Sequence, residues 1–190
     1  MRKSYKLFFR KRFLPLFLTQ FQEALTDNLI KCALIIMATY EIYASQPATA
    51  GMVVGLAGAL LTLPFFLFSA TAGQIAAKYD KALITRLIKG FEVFSMSLAA
   101  YGFYTRNIPF LLVTIFLLGL HSTFFGPIKY SILPQYLKEN ELIARNAFIE
   151  GGTFIAILIG SILGTERPVM FNSGSIREGA FVVAWGYCFV

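Results

Sequence analysis

Three ionisable side chains, Glu23, Asp27 and Lys31, stand in the run EALTDNLIKC at residues 23–32, inside a stretch that is otherwise apolar. Their i, i+4, i+8 spacing sets them one above another on a single stripe of a helix. Thr19 and Gln20 extend that stripe, while Asn28, one residue past Asp27, is expected to face a different helix. Further along, Lys129 follows Pro127 in HSTFFGPIKYSILP, and Glu150 precedes GGTF. If these segments cross a bilayer, each charge near mid-depth costs about 2.5–3.5 kcal/mol, so it must face a protein interior or a water path. Two chemistries fit the pattern: a translocation site for a polar substrate or a proton, and structural ion pairs between helices. Both remain open from the residues alone. Glu23, Lys129 and Glu150 are expected at similar depths around one gap. His121 fits a hydrogen bond between helices or a proton relay, and Glu92, three residues after Lys89, is expected to pair with it near the cytoplasmic surface. No pattern of residues marks a nucleophile, a metal cluster or a phosphate-binding loop, so no enzyme activity, cofactor or metal is expected; GGTF lies within a helix and follows no strand.

The elements that must position these residues are membrane helices. The chain is 57% hydrophobic and 14% charged, with mean hydropathy +0.66 and 20 Phe; soluble domains carry about 25% charged residues. A net charge of +7 does not point to nucleic acid, because the basic residues lie between apolar runs rather than on one face of a soluble fold. A basic cytoplasmic segment, residues 1–13, precedes a helical bundle over 14–190 with spans at about 14–43, 51–76, 83–104, 108–136 and 143–164. A sixth run, 181–190, is too short to span and reads as a helix cut short. Arg2, Lys3, Lys6, Arg10, Lys11 and Arg12 precede the first span, while Lys78, Lys81, Arg86 and Lys89 flank the second connection and Lys138 and Arg145 the fourth. The other connections hold only Arg106, Arg167 and Arg177. By the enrichment of Lys and Arg in cytoplasmic loops, the N-terminus is expected inside. The basic start leads into an apolar run without a small-residue cleavage site, so no cleaved signal peptide is expected.

Small residues recur at Gly51, Gly55 and Ala59 and at Ala156, Gly160 and Gly164, spacings that allow close helix packing in lipid. Cys32 and Cys188 share no disulfide or metal spacing and read as packing residues. Residues 165–179, with Pro168 and Gly174, form a polar loop.

The segments QFQEALTDNLIKCAL, GQIAAKYDKALITRLIK, GLHSTFFGPIKYSILPQYL and NAFIEGGTFIAILIGSILG resemble the N-terminal half of major facilitator superfamily transporters, and more narrowly the lysophospholipid transporter group, some members of which are fused to a 2-acylglycerophosphoethanolamine acyltransferase. The resemblance covers roughly residues 13–164 and is most specific at Asp27, Asn28 and Lys31 and at FFGPIKYSILP. It implies an all-α, six-helix half of a major facilitator fold, built from two inverted three-helix units in which the first and fourth spans are equivalent. It also implies alternating-access movement of lysophospholipid, chiefly lysophosphatidylethanolamine, across a bacterial inner membrane. Asp27 and Lys129 then belong to the polar translocation site. The partners implied are the lipid substrate, the bilayer, a second six-helix half and an acyltransferase.

Three features depart from the family pattern. The cytoplasmic loop motif, here Gly73 to Ala77 followed by Lys78, Asp80 and Lys81, lacks the acid that usually ends Gly-x-Leu-Ala-Asp. Glu23 stands where a small residue is expected, and the second half is absent from the sequence. Competing readings are a transporter of another small molecule and a truncated membrane remnant that transports nothing.

Overall fold

The structure, a computed structural model, describes the backbone of residues 14–136 and 139–165, and the side chains of these residues other than 15, 16 and 129–145. The basic N-terminal segment, the polar loop after residue 165 and the apolar run at 181–190 lie outside the described residues, as do the side chains of Lys129 and Arg145 and the whole of Lys138. Five α-helices account for nearly all of what is described: α1 Leu14–Ile36, α2 Pro47–Lys78, α3 Lys81–Thr105, α4 Ile108–Tyr136 and α5 Glu139–Thr165. A π-helical stretch, Met37–Ile42, continues α1, and Tyr43 closes it by donating its N–H to the Ala38 carbonyl at 2.9 Å.

The connections are short because their residues cap both neighbours. Pro47 occupies the first turn of α2, where its missing N–H leaves no helical bond unmade. Between α2 and α3 only Tyr79 and Asp80 intervene; Asp80 caps α3 by accepting from the Ala82 N–H at 3.4 Å, and the Lys78 ammonium lies 5.6 Å from the Tyr79 ring centre. Between α3 and α4, Arg106 takes a left-handed conformation at φ 52°, which lets Asn107 donate back to the Gly102 carbonyl at 3.2 Å. The Asn107 side chain then accepts from the Phe110 N–H at 3.1 Å and starts α4. These two-residue links reverse the chain twice, and α2 and α3 each pack along α4.

Helix α1 packs along α5, α2 along α4, and α3 along α4. Backbones come close where a side chain is missing: a Cβ on Gly119 of α4 would fall 2.3 Å from the Leu61 carbonyl oxygen, and one on Gly160 of α5 would fall 2.2 Å from that of Leu25. Gly164 approaches Leu29 and the Cβ of Cys32 in the same way, which gives Cys32 the packing role its apolar setting implies. The expected stripe on the second helix does not serve this purpose within the described residues. Gly51 and Gly55 have nothing within 4 Å of an added Cβ, and Ala59 is exposed. The face of α2 that packs carries Ala50, Val53 and Ala57 instead.

One apolar cluster joins four helices: Leu25, Leu29 and Ile30 of α1, Met96 and Ala99 of α3, Leu118 of α4 and Ala156 of α5. A second joins Leu34, Met37, Val53, Ala57, Ile108, Leu111 and Ile115 where α1, α2 and α4 meet. Outward, α2 shows Met52, Phe66 and Leu67 and α5 shows Phe154, Leu158 and Ile162, a surface suited to lipid chains. Three stretches are long and apolar enough to cross a membrane: Pro47–Lys78, Ile108–Ile128 and Asn146–Thr165. The helices outside that set, α1 and α3, carry Glu23, Asp27 and Lys31, and Lys81, Arg86, Lys89 and Glu92. Helix α4 runs through Pro127 without ending.

Gly119→Ala is expected to lower stability by about 1–3 kcal/mol, the usual penalty for overpacking. Gly55→Ala should be neutral or stabilising by up to about 1 kcal/mol, because it only improves helix propensity. Unfolding of both variants in mixed micelles measures the difference, and equal stabilities would contradict the close α2–α4 approach.

Candidate functional site

The charged stripe of α1 faces α4 and, across it, α3. Asp27 accepts a hydrogen bond from the Ser122 hydroxyl of α4 at 2.8 Å, a contact between residues 95 apart in sequence. One turn earlier, Glu23 is buried, with its Oε1 3.4 Å from Nδ1 of His121. The other ring nitrogen of His121, Nε2, stands 3.5 Å from Oε2 of Glu92 on α3. Lys89 donates to that same Glu92 oxygen and also lies over the Phe125 ring, 5.0 Å from its centre. Phe125 stacks on His121 with ring centres 6.0 Å apart and planes inclined by 10°. One line of polar groups thus runs from α1 through α4 to α3.

The helix geometry explains why these groups meet. His121 and Ser122 are adjacent on α4, so they present to neighbouring sectors of the bundle, His121 toward both carboxylates and Ser122 toward Asp27. His121 and Phe125, at i and i+4, share a face. Around this line the walls are apolar: Leu25, Met96 and Leu118 lie in the core cluster that joins the same three helices. Burial makes unpaired polar atoms costly, at about 1–3 kcal/mol each. Among the described residues, Oδ1 of Asp27, Oε1 of Gln20 and both ring nitrogens of His121 are buried without a hydrogen bond that meets normal geometry. A stripe with spare donors and acceptors is a surface that can take a polar ligand.

Other expected residues fall differently. Lys31 donates to the Asn28 side chain at 2.9 Å, and Asn28 in turn donates to the Ala24 carbonyl at 2.9 Å. Asn28 is therefore bonded back along its own helix rather than reaching toward another. Glu150 is half-buried on α5. Lys129 sits on α4 seven residues, about two turns, beyond Ser122, and its side chain lies outside the described residues. The loop motif is the compact α2–α3 turn: Gly73 in the last turns of α2, Lys78 at its end, Asp80 as the cap and Lys81 opening α3.

Two residues stand at the centre: His121, expected to bond between helices or relay a proton, and Glu92, expected only to pair with Lys89. Glu92 pairs with Lys89 as its spacing implies, but it is buried against α4 rather than placed at a surface. Its distance along α3 was the available signal: eleven residues past Lys81 is about 16 Å of helix, well into a bilayer.

Ser122→Ala is expected to destabilise the protein by about 1–3 kcal/mol, because it strips the donor from a buried carboxylate. In an Asp27→Leu background the same change should cost close to nothing, so a double-mutant cycle on unfolding in micelles isolates the pair. A coupling energy of zero would contradict the contact.

No family model matches the chain, and no solved structure matches it. Curated relatives do. Over 173 residues it is 27% identical to "Lysophospholipid transporter LplT" of Enterobacter sp. (strain 638), covering 90% of this chain and 38% of that protein. The proteins of the same name from Escherichia fergusonii and Salmonella arizonae are each 28% identical, over 76% and 81% of this chain and 34% and 36% of theirs. The chain thus spans about a third of the length of the curated relatives it matches. Its apolar helices fit a multi-pass membrane protein, and over most of its length the chain is similar to proteins named lysophospholipid transporter.

Proposed function

We propose that the chain forms the N-terminal six-helix half of a major facilitator transporter that moves lysophospholipid, chiefly lysophosphatidylethanolamine, across a bacterial inner membrane by alternating access. The observation that carries this reading is the similarity to proteins named lysophospholipid transporter over most of the chain. The helix pairing supports it. In a half built from two inverted three-helix units, α1 corresponds to α4 and α2 to α5, so an α1–α5 contact should have an α4–α2 counterpart. Those are the two most extensive helix pairings among the described residues.

In this reading Asp27 attracts the ammonium of the head group, with Ser122 holding one carboxylate oxygen and leaving Oδ1 for the ligand. Lys129, two turns nearer the cytoplasmic end of α4, attracts the phosphate. Asn28, Lys31, Glu23 and Glu150 set the local charge, and the acyl chain stays against apolar helix faces or lipid. The turn at Gly73, Lys78, Asp80 and Lys81 lies on the cytoplasmic side with the N-terminus, as the placement of lysines and arginines requires. The second six-helix half completes the translocation cleft, and an acyltransferase consumes the imported lipid. Residues 14–190 form one helical unit preceded by the basic segment 1–13, with no catalysis of its own.

Uptake of labelled lysophosphatidylethanolamine by proteoliposomes holding the complete gene product tests this. Asp27→Asn and Lys129→Ala should each lower uptake at least about tenfold, the factor given by losing 1.4 kcal/mol of head-group interaction. Unlabelled lysophosphatidylethanolamine should compete better than a lysolipid lacking the ammonium. Unchanged uptake in both variants would overturn the assigned roles, and absence of any lipid uptake would overturn the substrate.

A further inference from the structure

We infer that Glu23, His121 and Glu92 form a binding site for a single exchangeable proton, which ties α1, α3 and α4 together when it is occupied. The inference stands on the geometry around His121 and does not depend on the identity of the transported substrate.

The ring of His121 is buried, 1% exposed, and each of its nitrogens faces a carboxylate oxygen from a different helix: Glu23 of α1 at 3.4 Å and Glu92 of α3 at 3.5 Å. A neutral imidazole offers one N–H donor and one bare acceptor nitrogen, whereas an ionised carboxylate only accepts. With a neutral ring between two carboxylates, one bare nitrogen must therefore point its lone pair at an oxygen lone pair. One added proton removes that clash. On the ring it makes both nitrogens donors; on either carboxyl it supplies an O–H to the bare nitrogen. Whichever atom carries it, the three groups share one proton and become a continuous donor–acceptor chain.

The surroundings fit a proton better than a larger cation. Among the described residues, α3 supplies Lys89, whose ammonium already holds the Glu92 oxygen that faces the ring, so a second cation there meets a like charge. Helix α1 supplies Asp27 and Lys31 beside Glu23, with Asp27 held by Ser122 and Lys31 by Asn28. Helix α2, packed along α4, carries no ionisable group before Lys78. Phe125 covers one face of the ring, and Met96 and Leu118 belong to the adjoining core, which limits exchange with water. Loss of the proton leaves one bare ring nitrogen with its lone pair against a carboxylate oxygen of α1 or α3, a repulsion that favours separation of these helices. Proton occupancy and helix packing are thereby linked.

His121 is the one histidine in these 190 residues, and the ring signals lost in a His121→Gln variant are those that report the site. Nitrogen NMR of the histidine-labelled protein in lipid nanodiscs at neutral pH reads the ring, and infrared spectroscopy reads any protonated carboxyl. The expected result is one bound proton, seen either as two N–H groups on the ring or as one carboxylic acid that disappears in Glu23→Gln or Glu92→Gln. Glu23→Gln is expected to weaken proton binding about tenfold or more, since it removes one of the two facing charges. The measurement on the unaltered protein stands even if a variant does not fold. A ring with one bare nitrogen between two ionised carboxylates at neutral pH would overturn the inference. So would signals that follow sodium concentration rather than pH.

Discussion

A carboxylate placed at bilayer depth must be satisfied by the protein, and here the satisfying groups come from helix α4. Ser122 holds Asp27, and His121 stands between Glu23 and Glu92, so one short stretch of α4 binds the polar residues of both α1 and α3. Without that stretch, α1 and α3 would each carry charge into lipid at a cost of about 2.5–3.5 kcal/mol per residue. Apolar packing on both sides then becomes possible: Leu25, Met96 and Leu118 close over the line because the charges beside them are already partnered.

The same constraint divides the helices into two kinds. Helices α2 and α5 show large apolar side chains outward and make their close contacts through backbone, where Gly119 meets Leu61 and Gly160 meets Leu25. Helices α1 and α3 carry more ionisable groups, and Glu23, Asp27 and Glu92 turn toward α4. Packing between small residues fixes the distance between helices in lipid, where there is no hydrophobic force to press them together. Polar pairing then selects which faces meet.

Much of this was legible in the sequence. Alternation of apolar runs with Lys and Arg marked the helices and the turns, and intramembrane Glu23, Asp27 and Lys31 marked the polar stripe. What could not be read was the partner of each charge. Asp27 finds Ser122 at a separation of 95 residues, and a serine in an apolar run carries no signal that it faces a carboxylate. Lys31 stands four residues from Asp27 but three from Asn28, and helical neighbours at both spacings are close enough to compete. Glu92 was drawn toward a surface by its neighbour Lys89, although a lysine can reach back along a helix and leave the carboxylate buried. The glycine stripe on α2 has the spacing for a helix contact and yet faces outward, because spacing alone does not say which face a neighbour occupies.

The contact between α1 and α4 inside the bilayer is most directly tested by cross-linking. In a chain freed of Cys32 and Cys188, the pair Asp27→Cys and Ser122→Cys is treated in membranes with a short bifunctional thiol reagent. Efficient linking within one chain, and none when Ser122→Cys is replaced by Val113→Cys on an exposed position of α4, is the expected result. Failure of the first pair to link while the second links would contradict the meeting of these two helices on which the polar line depends.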